Sequence, residues 1–319
     1  MSVIEIRTAG PQELRKVLRM TLATAGQSAA ELEGHVTAFL RYAREMSLDL
    51  SRHWLCHENG RKIAACTCIE SPGRTAMLFL PDGRAGSASA AVIPELVLHV
   101  IREESKRDVR LLQCFLDPND REGRRALEFV GFFQVAELIY MERPVADLTA
   151  LAPAEEAKAL GFRGATWFTY DKDQHDRFAS LIEASYRDSL DCRGLTEIRD
   201  IEDVIRGHKA AGRFVPARWL MLCGDDRPLG CILLCENPLQ PVLELVYMGV
   251  HPEFRRRGIA GHLLWTGLQL AHREGFDKVT MAVDSVNEPA LTLYRRFGFS
   301  STMRRTAMIR VINSNSSGG

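Results

Sequence analysis

No stretch of this 319-residue chain carries the roughly 18–20 consecutive apolar residues that a membrane-spanning helix needs, so no membrane partner is expected. The opening MSVIEIRTAGPQELRK has Glu5 early and no apolar core, unlike a secretory signal, and a cytoplasmic setting is expected. Charge of one sign is also missing. Lys plus Arg is 41 and Asp plus Glu is 41, which argues against a protein that coats nucleic acid and makes any basic cluster a local feature. The eight cysteines lie in apolar stretches such as IAACTCIE and LGCILLCE, without CxxC or Cys/His ligand spacing. Cys66-x-Cys68 has the alternation of a strand, and no metal site is expected. No G-K-[ST] follows a glycine-rich loop, and no G-x-G-x-x-G opens a helix after a strand, so neither a P-loop nor a dinucleotide fingerprint is present.

What is present is a duplication. Trp54-Leu55 precedes a polar turn and the apolar run IAACTCIE, and Trp219-Leu220 precedes GDDRP and LGCILLCE. Trp54 to Trp219 and Cys66 to Cys231 share an offset of 165 positions; Gly131 to Gly298, in EFVGFFQV and RRFGFSST, are offset by 167. A near-constant shift of that length predicts two similar domains rather than a solenoid. The expected division is a first domain over 1–143, an Ala-rich linker over 144–163, a second domain over 164–312 and a low-complexity tail over 313–319.

In the second half, periodicity predicts strands over 166–170, 219–223, 230–236, 242–250 and 278–284, and helices over 173–188, 197–212, 258–275 and 287–298. Strands mixed with crossover helices give an α/β (α+β) fold with a mixed, mostly antiparallel sheet in each domain.

HPEFRRRGIAGHLL, residues 251–264, sits between the strand VLELVYMGV and a helix. The first turn of a helix has amides without partners and a partial positive charge, and small residues let a ligand approach the backbone. Arg255, Arg256 and Arg257 add cationic reach, and with Gly258, Ile259, Ala260 and Gly261 they form an anion site suited to pyrophosphate. A solvated arginine loop with packing glycines is the plainer reading of the same residues.

R-x-x-G-x-A, as Arg255-x-x-Gly258-x-Ala260 between a strand and a helix, resembles the acyl-CoA pyrophosphate loop of the GNAT superfamily of N-acetyltransferases. Downstream, Asn287-x-x-Ala290-x-x-Leu293-Tyr294-x-x-x-Gly298-Phe299 is similar to the family's second cofactor segment. The two segments stand in the family's order, over residues 164–312, and tandem arrangements are known in the superfamily. The resemblance implies acetyl-CoA as cosubstrate, no metal, and direct attack of a primary amine, from a small molecule, a peptide N-terminus or a lysine, on the thioester. An acyl-CoA-binding pseudoenzyme or sensor is the alternative it leaves.

It also implies roles. Tyr294 becomes the acid that protonates the leaving thiolate; otherwise it is a helix tyrosine packed on the sheet. Backbone groups of Met248, Gly249 and Val250 pair with pantetheine and polarise the carbonyl. Asn287 bonds the pantetheine arm, and is equally suited to cap a helix. Glu244 stands among apolar neighbours in its strand, either as a general base with a raised pKa or as an exposed-face residue. Asp284 and Ser285 receive no role, and the histidines are read as turn, surface or packing residues. Arg193, Glu197 and Asp188 are possible lining of an acceptor pocket.

The first half lacks these motifs. Its loop LPDGRAGSASA keeps Gly83, Arg84 and Gly86 without R-x-x-G-x-A, and Leu127 stands where the count from the shared glycine puts Tyr294. It reads as a degenerate copy. The duplication already provides a pseudo-dimer, so monomer and homodimer are both open.

Overall fold

The computed structural model describes residues 4–85, 92–146, 148, 165–195 and 198–312. The chain divides into two compact units, one of Met1–Glu137 with Arg304–Gly319 and one of Leu138–Met303. The expected linker, apart from residues 144–146 and 148, and the expected tail lie outside the described residues.

The first unit holds β1 (Ile4–Thr8), α1 (Leu14–Leu22), α2 (Ala29–Glu45), β2 (His53–Glu58), β3 (Arg61–Ser71), β4 (Thr75–Phe79), α3 (Ile93–Glu104), β5 (Leu111–Leu116) and α4 (Arg121–Phe129). Local chemistry sets its helix ends. Ser28 and Glu31 form a capping box on α2, and the Asp120 carboxylate accepts the Gly123 amide at the start of α4. Helix α3 buries Ile93, Leu96, Val97, Val100 and Ile101, a 3–4 spacing that makes one apolar stripe. Neighbouring strands pair antiparallel, except β4 with β5, which are parallel. The main core packs α3 and α4 on the sheet, and a smaller cluster around Val17 of α1 covers Leu55 and Ala65.

The second unit follows with β6 (Phe133–Pro144, from Leu138 on), β7 (Thr166–Thr169), α5 (His175–Tyr186), α6 (Ile201–Ala210), β8 (Arg213–Gly224), β9 (Arg227–Glu236), β10 (Val242–Val250), α7 (Ile259–Arg273), β11 (Lys278–Asp284) and α8 (Glu288–Arg296). Its strand order is β6-β11-β10-β9-β8-β7. Only β10 and β11 are parallel, joined by the crossover helix α7. Leu263, Leu264 and Leu268 of α7 are buried against one sheet face with Leu243, Leu245 and Ile232. Phe178 and Ile182 of α5 and Ile205 of α6 cover the other face with Trp219 and Leu233. Both units thus have the expected architecture of a mixed, mostly antiparallel sheet flanked by helices. The helix expected at 197–212 starts at Ile201, where Asp200 accepts the Glu202 amide at 2.9 Å; Glu197 is outside the described residues. All eight cysteines are free, and all but Cys192 are buried. No helix among the described residues is long and apolar enough to cross a membrane.

The last strand, β12 (Ser300–Val311), ends in the first unit, where Thr306–Val311 pair with Leu116–Leu111 of β5. The last strand of the first repeat, β6, pairs over Leu138–Pro144 with β11 in the second unit. Each unit is therefore completed by a strand from the other repeat. In the first unit Ala307, Met308 and Ile309 are buried, and Met308 joins the main core. At about 1.5–3 kcal/mol per buried large apolar side chain, their loss is comparable with a whole domain's stability. A chain stopped after Met303 is expected to lower the first unit's unfolding midpoint by about 10 °C or more. Differential scanning calorimetry reads it, and an unchanged midpoint would contradict the strand's role.

Candidate active site

The site begins with one extra residue. Along β10, Leu245 pairs with Leu234 of β9 but Tyr247 pairs with the adjacent Leu233, so Val246 is a β-bulge. The bulge resets the side-chain alternation. Leu243 and Leu245 pack toward α7, and beyond the bulge so do Met248 and Val250, while Tyr247 packs with α5 and α6. Glu244 and Tyr247 therefore share the α5–α6 face. The parallel pairing of β10 with β11 runs from Val242–Lys278 to Leu245–Met281 and stops at the bulge. Past it, Tyr247–Val250 have β9 as ladder partner and no ladder partner on the β11 side. Buried backbone groups demand partners, so this edge is suited to an extended ligand that bonds to it as a strand would.

The open edge leads directly to the start of α7. Gly258 caps that helix with φ +78°, a left-handed conformation that glycine adopts without Cβ strain, and Arg256 is left-handed at φ +61°. The first α-helical bond is His262 N–H to Gly258 O at 3.1 Å. The amides of Gly258, Ile259, Ala260 and Gly261 precede it and have no α-helical partner. With the helix dipole they form an anion site.

The three arginines differ. Arg256 and Arg257 are exposed, and the Arg257 guanidinium lies 5.6 Å from the Phe254 ring. Arg255, expected to reach toward phosphate, points elsewhere. Its guanidinium donates to the carbonyls of Ser185 at 2.8 Å, Arg187 at 2.7 Å and Asp188 at 3.5 Å. These carbonyls lie in and just past the last turn of α5, and a cation there offsets the helix dipole. Arg255 thus clamps the chain leaving α5 to the loop before α7.

Tyr294 is buried on α8, with its ring centroid 5.9 Å from that of Phe299. Burial raises its phenol well above the ordinary value, and the charge of Asp191 adds to this, so it is protonated at neutral pH. Asn287 caps α8, its side-chain oxygen accepting the Ala290 amide at 3.3 Å. Glu244 is open to solvent, yet the protein crowded around it raises its carboxyl above the usual range.

The α5–α6 face of the sheet holds residues that the sequence alone does not single out. The hydroxyls of Tyr247 and Ser185 are 2.6 Å apart, and Ser185 donates to Ile182 O at 2.7 Å. The Tyr186 and Tyr247 rings meet edge-on at 5.5 Å, and the ring of His208 lies 5.3 Å from Tyr247. Burial pushes the His208 imidazole down to about 3, so it is neutral at pH 7. Asp191 and Asp284 tie the loop after α5 to the end of β11: Asp191 accepts the Asp284 amide at 3.1 Å, and Asp284 accepts the Cys192 amide at 3.3 Å. Asp284 was given no role from sequence, because its partners lie more than ninety positions away.

Residues 177–299 match the family model described as the Acetyltransferase (GNAT) family. A mycothiol acetyltransferase of Clavibacter sepedonicus is 26% identical over 191 residues, 56% of this chain and 56% of its own length. The chain thus spans little more than half of that relative. A GCN5-related N-acetyltransferase from Sphaerobacter thermophilus shares the fold with a TM-score of 0.65 at 18% identity, over 97% of this chain and 95% of its own. A tandem GNAT protein from the clavulanic acid biosynthesis pathway does so with a TM-score of 0.53 at 16% identity, over 97% and 98%. The GNAT-family match thus lies within the second unit. Proteins of this family use acetyl-CoA as cosubstrate.

Beside this GNAT unit, the first unit's counterpart is differently built. β3 and β4 pair without a bulge from Thr67–Phe79 to Ser71–Thr75. The loop after β4 is tied down by Arg84, paired with Asp82 at 2.8 Å and Asp117 at 3.0 Å. A small cavity lies between Leu80, Ile93, Leu116 and Ala126.

In the GNAT unit, Gly249 is the tightest point of the open edge. A Cβ there would lie 2.5 Å from Ser185 Oγ and 2.8 Å from Tyr247 Oη, both held by their mutual hydrogen bond. Gly249→Ala is expected to destabilise the chain by about 1–3 kcal/mol through overpacking. Urea unfolding reads this, and an unchanged midpoint would show that the wall yields.

Proposed function

We propose that the GNAT unit transfers acetyl from acetyl-CoA to a primary amine by direct attack on the thioester. The observation that carries this reading is the junction at which β10 leaves β11 at its bulge and runs straight into the unpaired amides opening α7. An extended pantetheine arm suits the ladder edge at Met248, Gly249 and Val250, and a pyrophosphate suits the amides of Gly258 to Gly261. Arg256 and Arg257 supply the cationic reach, and Arg255 acts one step back by fixing the loop.

The chemistry then divides among four groups. Glu244 takes one proton from the substrate ammonium, and the neutral amine then attacks. Backbone N–H groups at the β10 edge donate to the thioester oxygen as charge builds on it. The C–N bond forms, the C–S bond breaks, and Tyr294 gives its phenolic proton to the departing thiolate; the second proton lost by the nitrogen restores the phenol. Asn287, already committed to capping α8, orders the segment that presents Tyr294. The first unit, with a continuous ladder between β3 and β4, without R-x-x-G-x-A and with Leu127 in place of the tyrosine, is assigned a framing role.

Two measurements test this reading. Tyr294→Phe is expected to lower kcat about a hundredfold, the range of a single general acid, while calorimetry still finds one acetyl-CoA per chain. An unchanged kcat removes Tyr294 from the mechanism, and binding without thiol release from any amine makes the chain an acyl-CoA sensor. Glu244 acts as a base only when ionised, and its surroundings raise its pKa. The acid limb of kcat/KM should therefore fall above the ordinary carboxylate range near 4.5, with activity rising as pH rises through it. Glu244→Gln should remove that limb; a variant that keeps it assigns the base elsewhere.

A further inference from the structure

The loop that leaves α5, residues 187–192, is fastened at both ends to the strand pair whose parting makes the site. At its start, Arg255 of the loop after β10 donates to the carbonyls of Ser185 at 2.8 Å, Arg187 at 2.7 Å and Asp188 at 3.5 Å. At its end, Asp191 Oδ1 accepts the Asp284 amide at 3.1 Å, and Asp284 Oδ2 accepts the Cys192 amide at 3.3 Å. Arg255 follows β10, and Asp284 is the last residue of β11. The loop thus crosses from the chain beyond one strand to the tip of the other, at the end where their ladder has stopped.

Ser185 brings this loop to the free edge of β10. Its hydroxyl is 2.6 Å from that of Tyr247, and a Cβ added to Gly249 would lie 2.5 Å from Ser185 Oγ, so the root of the loop abuts that edge directly. The loop is not relaxed by itself. Asp188 and Cys192 are left-handed at φ +55° and +44°, a conformation that costs a side-chain-bearing residue energy. Such backbone persists only where its surroundings over-determine it, and here they are Arg255 at one end and Asp284 at the other. A guanidinium spread over three carbonyls is a charge-assisted clamp, which the single ammonium of a lysine reproduces only in part.

We infer that residues 187–192 are a strap across the splayed end of β10 and β11, and that Arg255 is the positioning residue that holds it, setting the affinity for the acceptor amine rather than for the phosphates of the cofactor. The acceptor's part in this rests on the transferase reading above; the strap rests on the hydrogen bonds alone. The strap continues α5, which covers the sheet face that Glu244 and Tyr247 share. An amine that Glu244 deprotonates is therefore bordered by it. A loose strap must be ordered as the amine binds, and that entropy cost appears as weaker binding. The amides that open α7 are not touched by the Arg255 side chain, and Arg256 and Arg257 stay beside them when it is removed.

Cys192 reports on the strap without any turnover. It alone of the eight cysteines is not buried, and desolvation by its surroundings raises its thiol above the ordinary range, so it reacts slowly while the strap is held. In the full chain, iodoacetamide labelling followed by mass spectrometry is expected to modify Cys192 about tenfold faster or more in Arg255→Met, with the other cysteines unchanged; this is the open population gained when a charge-assisted clamp is lost. Arg255→Lys should fall between the two, and it decides the matter if Arg255→Met does not fold. Thiol release is then followed at saturating acetyl-CoA with spermidine, L-lysine, kanamycin and a short peptide with a free N-terminus. Arg255→Met is expected to raise KM for the amines used by about tenfold, while calorimetry finds its Kd for acetyl-CoA within about twofold of the unaltered chain. Cys192 labelled at the unaltered rate in both variants overturns the inference. So does acetyl-CoA affinity lowered by about tenfold with amine KM unchanged, which would return Arg255 to the phosphates. If the unaltered chain releases thiol with no amine, it is the transferase reading that fails, and the Cys192 rates alone decide the strap: faster labelling in the variants upholds it, and equal labelling overturns it.

Discussion

A single unpaired residue in β10, Val246, is the constraint on which the site depends. Hydrogen bonding in a sheet is obligatory where the backbone is buried, so a strand leaves its neighbour only where its register is broken. The bulge ends the pairing of β10 with β11 and frees a ladder edge. It also brings Glu244 and Tyr247 onto one face and aims the chain at the loop before α7. The helix amides and the Glu244 carboxylate are ordinary features separately. The bulge falls between them along one run of chain.

The two repeats show the same architecture with and without that break. β4 and β5 are parallel, joined through α3, as β10 and β11 are through α7, and both units pack helices on both sheet faces. In the first unit the ladder between β3 and β4 is continuous, and Arg84 satisfies its charge on Asp82 and Asp117. Each unit is finished by a strand from the other repeat.

Much of this was legible in the sequence where it depends on local order. Periodicity located α5, α7, α8 and the strands around them, because each buries one apolar face. Gly258 and Gly275 marked the ends of α7, and both take positive φ there. Asn287 read equally as a ligand contact and as a cap, and the cap is what its side chain makes. Two things were not legible. The bulge has no residue signature, since Val246 is an ordinary strand residue. Arg255 looked like its two neighbours, and only the fold brings it to the carbonyls at the end of α5, about seventy positions away.

A crystal structure of the full chain soaked with acetyl-CoA tests the central claim most directly. The account predicts the thioester arm lying along Met248–Val250 in the gap toward β11, with the pyrophosphate on the amides of Gly258 to Gly261 and the acetyl carbonyl facing the cleft wall of Glu244 and Tyr294. An arm bound in the first unit, or a gap in which β10 and β11 have closed to pair past Leu245, would contradict it.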